Sequence, residues 1–321
     1  MVMWRSSLLL FTLLAFGVPA SAAEPADAAK PGPDPMVGGL KVNPDLLRLD
    51  FPALPALPSL RAARQGQGQA APPEDDRDLD VDPLQTDFTV IALPTTLRMP
   101  RWKSAFRVTH RFTRPLGQGD FGSLAEDFFG IDSGAVIGLE YRFGIMRGAY
   151  LGIRRTNDRT IEFFTEYNLL QERDSKPVGL SVVASIDGTN NFRDSYTPGL
   201  GVVVSRTLSR AGTVYIEPIW VNNSNPLPSD LTDDNNTFLL GLGTRLRIRP
   251  SVYLVGEIVP RVAGYDPGVN HASFGIEKLL GLHVFQFNFS NGFGTTMGQV
   301  ARGGTSNDDW YLGFSISRKF F

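Results

Sequence analysis

Arg and Glu residues recur at alternate positions through the last two-thirds of the chain. Those that share one parity are Arg107, Arg111, Glu140, Arg142, Arg154, Glu162, Glu166, Glu217, Arg245, Arg247, Glu257 and Glu277. Charges of both signs on one face of a closed sheet can line a water-filled lumen and tune its selectivity. The same charges can instead pair into an Arg–Glu ladder that fills the lumen. Basic members gather on the first strands and on Phe238 to Ile248. Acidic members gather on Thr160 to Leu169 and on the segments carrying Glu217, Glu257 and Glu277. Other chemistry is poorly served. With no Cys, thiolate metal sites, iron–sulfur clusters and Cys nucleophiles are excluded. His110 has no Ser of matching parity to activate and reads as an interfacial residue. His271 reads as a loop residue. The Asp/Asn-rich loop Asp230 to Asn236 lacks a calcium-loop register and reads as turn chemistry. No enzyme activity, metal or cofactor is expected.

The elements that carry these charges show period-two alternation, the signature of strands with two unlike faces. In Thr160 to Leu169, Ile161, Phe163, Thr165, Tyr167 and Leu169 alternate with Glu162, Phe164, Glu166 and Asn168. Ala105 to Phe112, Ala135 to Phe143, Phe238 to Ile248, His283 to Phe289 and Trp310 to Phe320 repeat the design. Either face could point inward. A soluble exported barrel or sandwich, binding a small apolar ligand, would bury the aromatic face. A membrane barrel turns aromatics to lipid and charges to the lumen.

Loop lengths favour the membrane barrel. Connections such as Pro115 to Gly134, Asp187 to Thr197, Val221 to Thr237 and Asn291 to Asp309 are long. Gly144 to Gly148, Ser209 to Gly212, Arg249 to Ser251 and Leu280-Gly281 are short. Outer-membrane barrels show this alternation of short periplasmic turns and longer external loops. Thr156 to Arg159 and Gln171 to Pro177 do not discriminate by length. Phe112, Trp220, Phe238 and Trp310 fall near the long-loop ends, and Tyr141, Phe143, Phe285 and Phe320 near the short turns, as two aromatic girdles require. The expected fold is all-β: a closed antiparallel up-and-down transmembrane β-barrel of about 12 strands. Terminal Phe321 resembles the C-terminal signal through which the barrel-assembly machinery recognises such strands, although the apolar register runs through Phe320.

The N-terminus carries Arg5, a short apolar core from Ser7 to Val18 and small residues up to Ala23, the pattern of a cleaved secretory signal peptide. Residues 1–22 are assigned to that signal and 23–87 to a Pro/Ala-rich disordered periplasmic linker. The barrel is assigned to 88–321. The chain of 321 residues has a net charge of −2, which excludes the basic footprint of a nucleic-acid partner. A mean hydropathy of −0.08 excludes a polytopic helical membrane protein.

Three stretches, Leu93-Pro94-Thr95-Thr96-Leu97, Val108 to Arg114 and Gly138 to Arg142, resemble a family of uncharacterised bacterial outer-membrane β-barrel proteins, a domain-of-unknown-function family. The resemblance covers about Phe88 to Phe321. It implies an outer-membrane barrel and transfers no functional residue. The expected location is the bacterial outer membrane, with its lipid and the assembly machinery as partners. The expected role is a pore for passive or weakly selective passage of small polar solutes, with a plugged structural or partner-anchoring barrel as the alternative.

Overall fold

The computed structural model describes residues 79, 82–172, 176–226, 235–266 and 268–321. The expected signal peptide, the linker up to residue 81 apart from position 79, and most of the Asp230–Asn236 loop lie outside the described residues.

Thirteen strands follow one another: β1 (Ser104–Pro115), β2 (Ala135–Met146), β3 (Ala149–Thr156), β4 (Ile161–Leu170), β5 (Gly179–Gly188), β6 (Asp194–Thr207) and β7 (Gly212–Asn222). The rest are β8 (Asn236–Arg249), β9 (Val252–Val259), β10 (Arg261–Gly264), β11 (His271–Leu280), β12 (His283–Ser290) and β13 (Tyr311–Phe320). Each pairs antiparallel with its neighbour, and β1 pairs with β13, from Ser104 opposite Phe320 to Arg111 opposite Gly313, so the sheet closes. Strands β9 and β10 both pair with β8 and flank Pro260. Proline has no N–H to give a ladder. The Pro260 carbonyl still accepts from Leu240 N at 2.9 Å, so the two pieces make one traverse. The barrel therefore has twelve traverses. Closure removes every free edge, which a sheet in hydrocarbon requires because no water can satisfy its backbone.

The faces divide as a membrane barrel demands. In β2, Leu139 and Tyr141 are 51% and 43% exposed, whereas Glu140 and Arg142 are 4% and 2% exposed. Leu151 and Ile153 of β3, Phe163 and Tyr167 of β4, Phe274 and Ile276 of β11 and Phe285 and Phe287 of β12 also point outward. The soluble alternative, with aromatics enclosed, is not the arrangement this chain adopts. Two basic groups on the outer face sit at the short-turn end: Lys278 donates to Ser251 Oγ at 2.9 Å, and Arg206 lies 3.6 Å from Glu172.

Two connections break the expected length rule. Asn157 to Thr160, at the long-loop end, is a tight turn in which Thr156 N donates to Thr160 O at 2.9 Å. The connection between β4 and β5, at the short-turn end, is eight residues long, 171–178. The remaining connections alternate as read from the sequence.

The segment before β1 departs from the sequence reading. Residues 82–87, assigned to the disordered linker, and the stretch that follows form a hairpin inside the lumen. Thr86 is fully buried, and Val90, Ile91, Leu93 and Met99 are buried as well. The hairpin enters at the short-turn end, where Tyr253 Oη donates to Pro83 O at 2.6 Å and Thr213 Oγ1 to Leu84 O at 3.0 Å. It turns at Val90–Leu93, where Val90 N donates to Leu93 O at 2.8 Å. It leaves at the same end, where Gly148 N donates to Met99 O at 3.0 Å. Composition concealed this. The Pro- and Asp-rich stretch up to residue 83 has the profile of a tether, and the apolar run from Phe88 resembles a first strand.

If the outer face lies in hydrocarbon, Ile153→Arg in the middle of β3 will destabilise the barrel by about 2–4 kcal/mol. Ile153→Val will cost about 1 kcal/mol. The urea midpoint of the folded, heat-modifiable form in lipid vesicles measures both, and an Arg variant with the wild-type midpoint would remove the lipid from that face.

Candidate functional site in the barrel lumen

Period two places the charged residues of neighbouring strands side by side along the inner wall. Register sets Arg107 opposite Glu140, Glu140 opposite Arg154, Arg154 opposite Glu162 and Glu162 opposite Asp187, a belt crossing β1 to β5. Along it Arg154 Nε donates to Glu140 Oε2 at 2.8 Å, and Arg154 Nη1 to Glu162 Oε2 at 2.9 Å. Arg142 pairs with the other oxygen of Glu140 and donates to the Tyr150 hydroxyl, which donates to Glu166 Oε2 at 2.5 Å. The Arg142 guanidinium also lies over the rings of Phe164, Tyr150 and Phe88, at 4.9, 5.0 and 5.4 Å. These groups are buried, so each charge needs its partner within hydrogen-bond reach.

A second cluster occupies the opposite side. Arg245 makes a two-pronged contact with Glu277, Nε to Oε1 and Nη2 to Oε2, both at 3.1 Å. Glu257 receives His271 Nε2 at 3.2 Å. His271 is the first residue of β11 and fully buried, not a loop residue. Glu217, on β7, is fully buried, and both of its carboxylate oxygens lack a hydrogen-bond partner among the described residues. Arg247 has the same parity as Arg245 but stands at the short-turn rim, where it donates to Pro250 O at 3.0 Å. Arg111 lies toward the long-loop end and donates to Ser290 Oγ and to the Gly292 and Gly294 carbonyls at 3.0, 2.9 and 3.1 Å.

The hairpin docks against both clusters through its backbone. Arg245 Nη2 donates to Thr89 O at 2.8 Å, Gln286 Nε2 to Val90 O at 2.7 Å and Arg107 Nη2 to Ile91 O at 2.7 Å. The amides of Ile91, Ala92 and Leu93 converge on the Glu257 carboxylate at 3.0, 2.9 and 3.1 Å. Asp87 accepts from Ser317 Oγ at 2.7 Å and lies 3.8 Å from Lys319 Nζ. Gly241 and Gly243 floor the seat of the turn. A Cβ at Gly241 would come within 3.0 Å of Leu93, and one at Gly243 within 3.2 Å of Val90.

From the other mouth, the connection between β12 and β13 folds inward. Its short helix, Met297–Ala301, begins with a capping box between Thr296 and Gln299. Met297 N donates to Glu162 Oε1 at 2.9 Å and Thr296 Oγ1 to Asp187 Oδ2 at 2.7 Å. Val300 and Ala301 pack on Ala92 and Leu93 of the hairpin. Between the two intrusions lies a cavity of about 50 Å³, reached by Thr89, Leu93, Arg154, Glu162 and Met297. It has room for a few waters and no larger solute.

The outer ring of aromatics is partly exposed. Tyr141, Phe143, Phe238, Phe285 and Phe320 are exposed, Trp220 and Trp310 half-buried, and Trp310 packs on Phe274 at 5.1 Å. Phe112 points outward but is covered at 5% exposure, with Gly130 of the folded β1–β2 connection against it. His110 stacks on Phe314 at 4.9 Å on the outer face. Phe321 has inward parity and packs with Phe88, Leu97, Met99, Ala105 and Tyr150 at the short-turn end.

A family model described as a membrane bound beta barrel domain (DUF5777) matches residues 86–320. The chain belongs to that family. The match begins at Thr86, so all of the lumen hairpin except residues 82–85 lies inside the family's domain. Among solved structures, a mutant of Rh. blastica porin is 10% identical, with 58% of this chain and 55% of that chain covered and a TM-score of 0.31. NanC porin is also 10% identical, with 68% and 99% covered and a TM-score of 0.43. The chain thus spans little more than half the length of the first of these. No curated protein matches it.

Sequence reasoning missed several lumen groups: Asp87, Tyr150, Asp187, His271, Gln286 and Lys319. Lys319 was legible by parity, two residues beyond Ser317 on the same face. Asp87 and the hairpin carbonyls carried no such signal.

Removing one member of the Arg245–Glu277 pair leaves a buried charge alone. Arg245→Ala is expected to cost about 3–5 kcal/mol, whereas the double replacement Arg245→Met with Glu277→Met recovers most of that loss. Equilibrium denaturation of the three proteins in the same detergent measures the difference.

Proposed function

We propose that the chain is an outer-membrane barrel that admits small polar solutes when the hairpin of residues 82–100 withdraws from its lumen. One observation carries this reading. Among the described residues, every hydrogen bond between residues 82–98 and the barrel strands uses a side chain. The hairpin shares no strand ladder with the wall. It also enters and leaves at one end, the end read as periplasmic, so it can slide out without unpairing a strand. Val300 and Ala301 of the mouth connection lose their packing on Ala92 and Leu93 when it leaves, so both obstructions loosen together.

The resting barrel is closed, and most of the charges that would line an open path are occupied. The belt from Glu140 to Glu162 keeps its own pairs after withdrawal, while Arg107 and Lys319 are freed and Glu257 keeps His271 alone. No catalytic step belongs to this reading.

The absence of native Cys allows a clean test. Thr96 Oγ1 on the hairpin and Ser205 Oγ on β6 lie 2.5 Å apart. Thr96→Cys with Ser205→Cys is expected to form a disulfide that silences the protein in planar bilayers, and dithiothreitol is expected to restore the openings of the parent chain. Equal silence before and after reduction, in both the variant and the parent, would favour the permanently plugged, partner-anchoring barrel.

A further inference from the structure

We propose that the seat of the hairpin turn is a peptide-binding site, and that short peptides are the solute class the opened lumen selects; this rests on the reading of the hairpin as a movable gate. The contacts made at the turn are to the main chain. Three consecutive carbonyls, those of Thr89, Val90 and Ile91, each accept from a different lumen side chain: Arg245, Gln286 and Arg107. Three consecutive amides, those of Ile91, Ala92 and Leu93, all donate to Glu257. The four wall residues come from four strands, β8, β12, β1 and β9. Together they read the alternation of C=O and N–H that every peptide carries.

The floor fits the same class. Gly241 and Gly243 leave space for Val90 and Leu93, so apolar side chains are accommodated by shape and not by a specific polar contact. Glu217 lies beside that floor without a partner, its Cβ 3.1 Å from where a Cβ on Gly241 would stand. It is available to an amino terminus that the hairpin, being internal to the chain, does not present. On the far wall Lys319, which the hairpin meets with the Asp87 carboxylate, is available to a carboxyl terminus. A sugar or a simple ion does not repeat the fixed spacing of C=O and N–H that these four side chains follow along the turn.

The test uses the full chain with Thr96→Cys and Ser205→Cys in detergent. The probes are a fluorescently labelled capped tetra-alanine, its N-methylated counterpart and a labelled disaccharide. In the reduced protein the tetra-alanine is expected to show saturable fluorescence polarisation, lost on oxidation. The N-methylated peptide and the disaccharide are expected to bind at least about tenfold more weakly, as is tetra-alanine to the Glu257→Gln protein. Equal binding of all three probes would overturn the proposal. So would binding confined to a peptide with the sequence of residues 86–93, or no binding by reduced protein that conducts. Bilayer recordings on the same samples separate the two levels. Redox-gated conductance without peptide binding leaves the gate and removes the peptide site. Conductance that ignores the redox state removes the gate.

Discussion

Ionic groups enclosed by a ring of hydrocarbon-facing strands have to be neutralised where they stand. Two inward-folded segments occupy the lumen of this barrel, and the cost of leaving a buried charge alone exceeds that of most other defects in a fold. On β2 to β4 the strands meet much of this demand, since period two and antiparallel register bring Arg154 between Glu140 and Glu162. Elsewhere they do not suffice. Glu257 and Arg107 have too few partners among the strands, and the hairpin backbone completes them. The same contacts satisfy main-chain groups that would otherwise be buried unpaired in the lumen. Wall and hairpin are therefore mutually dependent.

This dependence sets how the hairpin is held. A strand added to a sheet is held by a ladder, and leaving it means breaking cooperative backbone pairing. Side-chain contacts to an unladdered hairpin hold it by separate interactions, of which those to Arg245, Arg107 and Glu257 are charge-assisted and the strongest. Tyr253, Thr213 and Gly148 hold the two legs at the short-turn mouth, where solvent is nearest. Arg245, Gln286, Arg107 and Glu257 hold the turn at depth. The inward-folded β12–β13 connection adds apolar packing from the opposite side through Val300 and Ala301.

Much of the architecture was readable in advance. The outward set Leu139, Tyr141, Ile153 and Phe163 and the inward set Glu140, Arg142, Arg154 and Glu162 separate by parity alone, because a strand has only two faces. The traverse count followed from loop spacing. The tight Asn157–Thr160 turn and the eight-residue 171–178 connection escaped, since the order of traverses sets which end a connection occupies but not how long it is. Girdle placement predicts a presented Phe112, yet it is covered, because the β1–β2 connection folds back over it, a contact between residues well apart in sequence.

Alternation of apolar and polar residues determined that the chain forms strands with two unlike faces, because side-chain direction in a strand repeats every two residues, and loop lengths with aromatic placement pointed to a membrane barrel with its charges enclosed. Tertiary structure alone decided whether that enclosure is empty. A lumen is filled by whatever segment can satisfy its wall. The Thr86–Met99 segment does so through carbonyl and amide groups that all sequences share and that leave no trace in residue identity.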